Sequence, residues 1–300
     1  MEGFVFSSTL GTTLLFIFGT LLGSFLNVLA FRYDPDKFLF HKGVLRGRSH
    51  CMHCKRTLRW FELVPFVSFI VLRAKCRTCR GRISFQYPIV ELIAGLLLAF
   101  VPGQVAGTLN RFLALDPTAL LMLQIVWVVA FLALLLLSMI DLRTHLIPDE
   151  LNVILVLCGI AGIFLATPSF GQVEGSFLGH YALLLGGRDN IWVNHLIGAL
   201  IGAVFFGLII LLTRGKAMGL GDLKLATALG VLFGWPDVAA IIIFGFILGA
   251  IVGLGAILFG HRTMKSFVAF GPFLAVGSAL VFFCGFSLAR AYFTLLGAAG

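Results

Sequence analysis

The sequence predicts an all-α polytopic membrane protein with about eight transmembrane helices. Three observations carry that prediction. Of 300 residues, 60% are hydrophobic and only 12% are charged. Mean hydropathy is +1.06, and apolar runs repeatedly approach the ~20 residues needed to cross a bilayer. A composition of this kind excludes a soluble globular domain.

Taken in order, the apolar runs fall at 8–31, 85–101, 119–140, 151–167, 193–213, 222–235, 237–259 and 268–294. The first has no charged segment ahead of it, because Met1 to Ala30 contains no Lys or Arg, and no small-residue cleavage site follows it. It therefore reads as a retained helix rather than a signal peptide. The second and sixth runs are short. The sixth is bounded by Gly219 and Gly221 on one side and Pro236 on the other, the pattern of a broken or partly submerged helix. The expected organisation is a first transmembrane helix over 1–31, a cytoplasmic loop domain over 32–84, and a membrane core of about seven helices over 85–300.

Cytoplasmic loops collect Lys and Arg, so the cations set the orientation. Arg32 to Arg82 holds 13 of the 22 Lys and Arg residues against three acids (Asp34, Asp36 and Glu62), a local charge of +10. That places this loop in the cytoplasm. The connections around Arg143, around Arg214 and Lys216, and around Arg262 and Lys265 then also lie inside, while those holding Arg111, Arg188 and Asp237 lie outside. Membrane lipids are the expected partner for the basic loop, through anionic headgroups. Nucleic acid is not expected, since nothing else in the sequence supports it.

The loop carries two C-x-x-C knuckles, "CMHC" (Cys51, Cys54) and "CRTC" (Cys76, Cys79). This is the ligand spacing of a tetrahedral four-cysteine zinc site. The alternatives are disulfides or idle thiols, and a reducing cytosol argues against disulfides. Four protein ligands leave no open position, so the expected zinc ion is structural, supplying folding energy that a small loop lacks. His50 and His53 read as bystanders, and Cys158 and Cys284 as small core residues.

Two acids stand at helix ends on the same predicted face. Asp141, in "SMIDLRTHLIPDELN", lies where the third span leaves the membrane, and Asp222, in "GLGDLKL", where the sixth begins. Ionisable groups at such positions are functional candidates, although a carboxylate at a helix N-terminus also has a purely structural reading. Two carboxylates brought together share one proton. The ionised member can then take a proton from attacking water while the other hydrogen-bonds the developing oxyanion. Gly219 and Gly221, lacking Cβ, are expected to allow unusual backbone angles and close substrate approach.

These motifs resemble those of the bifunctional type IV prepilin leader peptidase/N-methyltransferases, which are G-x-G-D membrane aspartyl proteases. The resemblance covers most of the chain. It runs through "GSFLNVLAFR", "GRSHCMHC", "LRW", "VPFVSFIVLRAKCRTC", "RISFQYPIVEL", "IDLRTHLIPDELN", "GLGDLKLATALGVLFGW" and "FGPFLA" in the family's order. It implies that Asp141 and Asp222 are the catalytic aspartates and that Cys51, Cys54, Cys76 and Cys79 hold zinc. The implied substrates are type IV prepilins and the related pseudopilins, cut on the cytoplasmic side of the bacterial inner membrane. The new N-terminal residue, usually Phe, is then methylated with S-adenosylmethionine. The methyl donor rests on the resemblance alone, because no glycine-rich nucleotide fingerprint follows a strand.

The sequence departs from the family's pattern where Met52 replaces a common proline after the first cysteine, and where a proline shortly after Arg32 is missing, with Pro35 nearby. Neither change touches an acid or a thiolate. The stretch 168–192 reads as an external loop without chemistry. Asn27 and Glu91 read as helix-to-helix hydrogen-bonding groups or partners of Arg32, with a second reading as lining of the leader-binding or methyl-transfer site. Lys224 and Arg143 read as neighbours that tune the acids or simply mark the inside loops, and Gly271 and Pro272 as a helix break beside a substrate groove. Two other readings stay open here: a presenilin-like intramembrane aspartyl protease without methyltransferase activity, and a transporter whose acids bind cations.

Overall fold

Each predicted span folds as a helix, because side chains that are apolar around the whole circumference leave the backbone no partner but itself in a bilayer. A computed structural model of the chain describes residues 9–45, 47–108, 116–166, 176–185, 190–258 and 268–295. Its long helices are α1 (Thr9–Arg32), α2 (Gln86–Thr108), α3 (Pro117–Thr144), α4 (Asp149–Ala166), α5 (Ile191–Thr213), α6 (Leu220–Phe233), α7 (Asp237–Leu258) and α8 (Gly271–Leu295). Arg111, Arg188, Arg262 and Lys265, used above for orientation, lie outside the described residues.

Seven of these eight helices are long and apolar enough to cross a membrane, which makes the chain a polytopic membrane protein. The exception is α6. Its 14 residues rise only ~21 Å, short of a ~30 Å hydrocarbon core. Glycine sets both of its limits: Gly219 is the N-cap, and Gly234, at φ 76°, ends the helix in a conformation that L side chains rarely adopt.

The chain divides into two compact units, Met1–Gly103 and Gln104–Gly300. In the first, α1 and α2 are joined by the Asn27 amide, which donates to the carbonyls of Gly23 (3.2 Å) and Tyr87 (3.4 Å). Phe31 stacks on Tyr87 with ring centroids 5.1 Å apart. At the end of α1, the Arg32 guanidinium donates to the carbonyls of Val44, Gly47 and Arg48, fastening the start of the loop to the helix. Glu91 does not pair with Arg32. It is buried in α2 and accepts the Phe66 N–H at 3.1 Å.

In the second unit, α6 lies centrally, packed on α4, α5, α7 and α8. The α5–α6 crossing is close because small residues form it: a Cβ on Gly198 would stand 2.7 Å from the Gly230 carbonyl oxygen. At the end away from Asp222, residues 176–185 pack into the bundle. Asp237, fully buried, accepts the Ser176 hydroxyl at 2.7 Å and the Phe177 N–H at 3.0 Å. The Trp235 indole donates to the Leu185 carbonyl at 3.0 Å. Within the stretch read as an external loop, residues 176–185 are thus a packed segment; residues 167–175 and 186–189 lie outside the described residues.

Candidate active site and metal centre

Asp141 occupies the last turn of α3 and is only 4% exposed. Its position is fixed from two directions. Its own carbonyl accepts the N–H of His145, the left-handed C-cap at φ 52°, at 2.9 Å. Its carboxylate oxygen Oδ2 accepts the N–H of Gly271, the first residue of α8, also at 2.9 Å. A Cβ on Gly271 would stand 2.7 Å from that oxygen, so only glycine permits the approach.

Asp222 is the third residue of α6 and is half-buried. Its Oδ2 turns back to accept the Gly219 N–H at 3.2 Å, the half of a capping box that a glycine N-cap allows. Asp141 and Asp222, far apart in sequence, lie at the same end of the second unit, where Gly221 stands beside Ile147 and Lys224 bonds Asp149. The glycines differ from expectation: Gly219 has ordinary extended angles (φ −90°, ψ 161°), and Gly221 is not among the positive-φ residues. What matters at Gly221 is space, since a Cβ there would stand 3.2 Å from Cβ of Ile147.

Lys224 does not reach either acid. Its ammonium donates to both oxygens of Asp149 at 2.8 Å, linking the first turns of α4 and α6. The pair is exposed, so its contribution to stability is small.

The four cysteines converge in the first unit, with all four sulfurs within 4.8 Å of one another. Cys51 and Cys79 Sγ are 3.8 Å apart, which equals the ~3.8 Å edge of a tetrahedron built from Zn–S bonds of ~2.3 Å. The two knuckles repeat one backbone pattern. Cys51 and Cys76 accept from Lys55 and Arg80, and donate to Arg56 and Gly81, at 2.8–2.9 Å. Lys55 (φ 58°) and Arg80 (φ 55°) take the same left-handed conformation. The Cys79 and Thr78 N–H groups pull the Cys76 thiol down to about 6. The Gly81 N–H pulls Cys79 down as well, but burial and the neighbouring sulfurs outweigh it and push that thiol up to about 11. Four thiolates this close need a cation between them, so the donor set fits a dication. His53 bonds the Arg82 carbonyl at 3.2 Å and stands outside the cluster.

Residues 17–104 match the family described as Bacterial Peptidase A24 N-terminal domain, and residues 128–254 match the Type IV leader peptidase family. A "Prepilin leader peptidase/N-methyltransferase" of Bacillus subtilis (strain 168) is 31% identical over 93% of this chain and 97% of its own length. The chain belongs to the type IV leader peptidase family. Proteins with the same description from Aeromonas hydrophila, 30% identical over 94% of this chain and 93% of their length, and from Burkholderia pseudomallei (strain 1026b), 31% over 90% and 84%, are also similar. No solved structure matches significantly.

In this member of the family, sequence reasoning missed three groups. Gly271 was read as a helix break beside a substrate groove, not as a partner of Asp141, yet its N–H holds that acid; the signal was a Gly-Pro pair opening an apolar run. Asp237 was placed in a loop, although an acid directly after Trp-Pro and before an apolar run marks a buried helix start. Glu62, buried, accepts from the Arg56 guanidinium at 2.6 Å and the Arg59 N–H at 2.8 Å, bracing the first knuckle. Cys284, read as core, is exposed on α8.

Proposed function

We propose that this chain removes the short basic leader of type IV prepilins and related pseudopilins at the cytoplasmic face of the bacterial inner membrane, then N-methylates the new N-terminal residue, usually Phe. S-adenosylmethionine is the methyl donor in this reading. The observation that supports the peptidase half is the placement of Asp141 and Asp222 at the same end of the second unit, each held by a backbone N–H. The descriptions of the relatives support both halves, and the +10 loop supports the cytoplasmic orientation. Family membership leaves the presenilin-like and transporter readings without support.

The chemistry follows from the pair. One ionised carboxylate takes a proton from water as the water oxygen attacks the peptide carbonyl carbon, while the protonated partner hydrogen-bonds the oxyanion. The tetrahedral intermediate then collapses, the C–N bond breaks, and a carboxyl proton goes to the departing amine. A prepilin supplies an apolar helix already in the bilayer, so the enzyme need only hold the junction extended beside the acids, with the substrate entering laterally between helices. Cys51, Cys54, Cys76 and Cys79 would hold zinc, which supplies folding energy to the loop and no open coordination position.

The test uses purified protein and a prepilin. Asp141→Asn and Asp222→Asn should each lower trimming by ~10²–10⁴-fold with helical content unchanged; normal trimming by either variant overturns the assignment. Replacing Cys51 and Cys54 by serine should take the metal content well below one ion per chain and abolish labelled methyl transfer. Leader trimming should persist, because the acids lie in the other compact unit.

A further inference from the structure

We propose that the loop domain of the first unit docks on the membrane surface through an apolar face formed by Trp60, Val67, Ile70 and Val71, and that the occupant of this face is the anionic lipid leaflet around α1 and α2. The inference goes beyond the catalytic reading and does not depend on it. Side-chain exposure picks out the face: Trp60 is 79% exposed, Val67 56%, Ile70 70% and Val71 72%. Single exposed apolar residues are ordinary, but a cluster of large ones marks a contact surface.

Local geometry makes them one surface. Val67, Ile70 and Val71 stand at i, i+3 and i+4 of the short helix Val67–Val71, hence on one side of it. Phe69, at i+2, faces the other way and packs on Phe85 with ring centroids 5.3 Å apart, joining the helix to the residue that leads into α2. The 3-10 turn Trp60–Leu63 packs beside the same helix.

Connectivity and charge identify the occupant. Phe85 directly precedes α2, and the start of the loop is fastened to the end of α1 by Arg32, so both ends of the domain are held at the bilayer surface. Residues 55–82 carry eight Lys and Arg residues and one acid, Glu62, which is buried and bonded to Arg56. A cationic rim around an apolar centre that includes Trp is the pattern that headgroups and upper acyl chains receive. It also resolves an apparent conflict: a +10 loop would repel a basic leader if it faced one, but on this placement its charge is spent on lipid.

The experiment compares the full-length protein with Trp60→Phe in nanodiscs of anionic and zwitterionic lipids, brominated either near the headgroup or at the chain ends. The Trp60 contribution, taken as the difference spectrum, should be blue-shifted and quenched about twofold more strongly by the shallow bromines, and less so in zwitterionic lipid. Ile70→Asp with Val71→Asp should return Trp60 to water-like emission while metal content is retained, which separates lost docking from lost folding. Water-like, bromine-insensitive Trp60 in the parent protein would overturn the proposal. So would protection of Trp60 that appears only with two chains per nanodisc, because a second copy would then be the occupant.

Discussion

Asp141 shows what single residues contribute that their neighbours in sequence do not announce. The acid itself was legible, as an ionisable group at the end of an apolar run, and so was its place at the same end of the bundle as Asp222, because both fell on one predicted face. Its anchoring was not. The Gly271 N–H that holds Oδ2 comes from 130 residues away, and no local pattern encodes a contact across that distance. Gly271→Ala should therefore push the carboxylate aside without removing it. Misplacing a reacting group by about 1 Å costs ~10²-fold, so kcat for leader trimming should fall by about that much with KM little changed. Steady-state kinetics on a prepilin checks this, and an unaltered kcat would mean that the Gly271 contact is incidental to catalysis.

At the scale of elements, the knuckles were readable because cysteine spacing is itself the ligand geometry. The bracing of the loop was not, since Glu62 lies in a short 3-10 turn that has no periodicity to reveal its burial. Burial alone would raise the Glu62 carboxyl, but the Arg59 N–H and the Arg56 guanidinium outweigh it and hold the group below the usual carboxylate range. A depressed folded-state value means that the stabilisation is complete above the unfolded pKa of ~4.3 and is lost as pH falls through the folded value. Limited proteolysis of the loop should show the parent protein losing resistance across that window. Glu62→Gln should be less resistant at neutral pH and lack this component of the acid dependence. Acid release of metal is common to both proteins, so the difference between them isolates Glu62.

Across the whole molecule, eight apolar runs became eight helices, because bilayer thickness imposes a length that a linear sequence displays directly. The shortness of α6 was visible too, in its flanking Gly and Pro residues. What fills the end of the bundle behind it was not visible: residues 176–185 carry no span-like pattern, and their place is set by Asp237, which reads as part of an outside connection until its partners are seen. Asp237→Ala should leave the Ser176 hydroxyl and the Phe177 N–H unpaired inside the bundle, at ~1–3 kcal/mol for each unsatisfied group. Thermal unfolding in detergent should register a lower midpoint, and an unchanged one would show that the segment is held by its aromatic contacts alone. Those contacts have a further consequence. Hydrolysis requires water beside two acids, and water continuing past them through the bundle would let protons run down the membrane potential. Trp127, Phe177, Phe233 and Phe282, with ring centroids 4.7–5.8 Å apart, pack against one another at the far end of the bundle from the acids. The segment that backs a short helix thereby keeps that end of the bundle apolar, where a water molecule finds few hydrogen-bond partners.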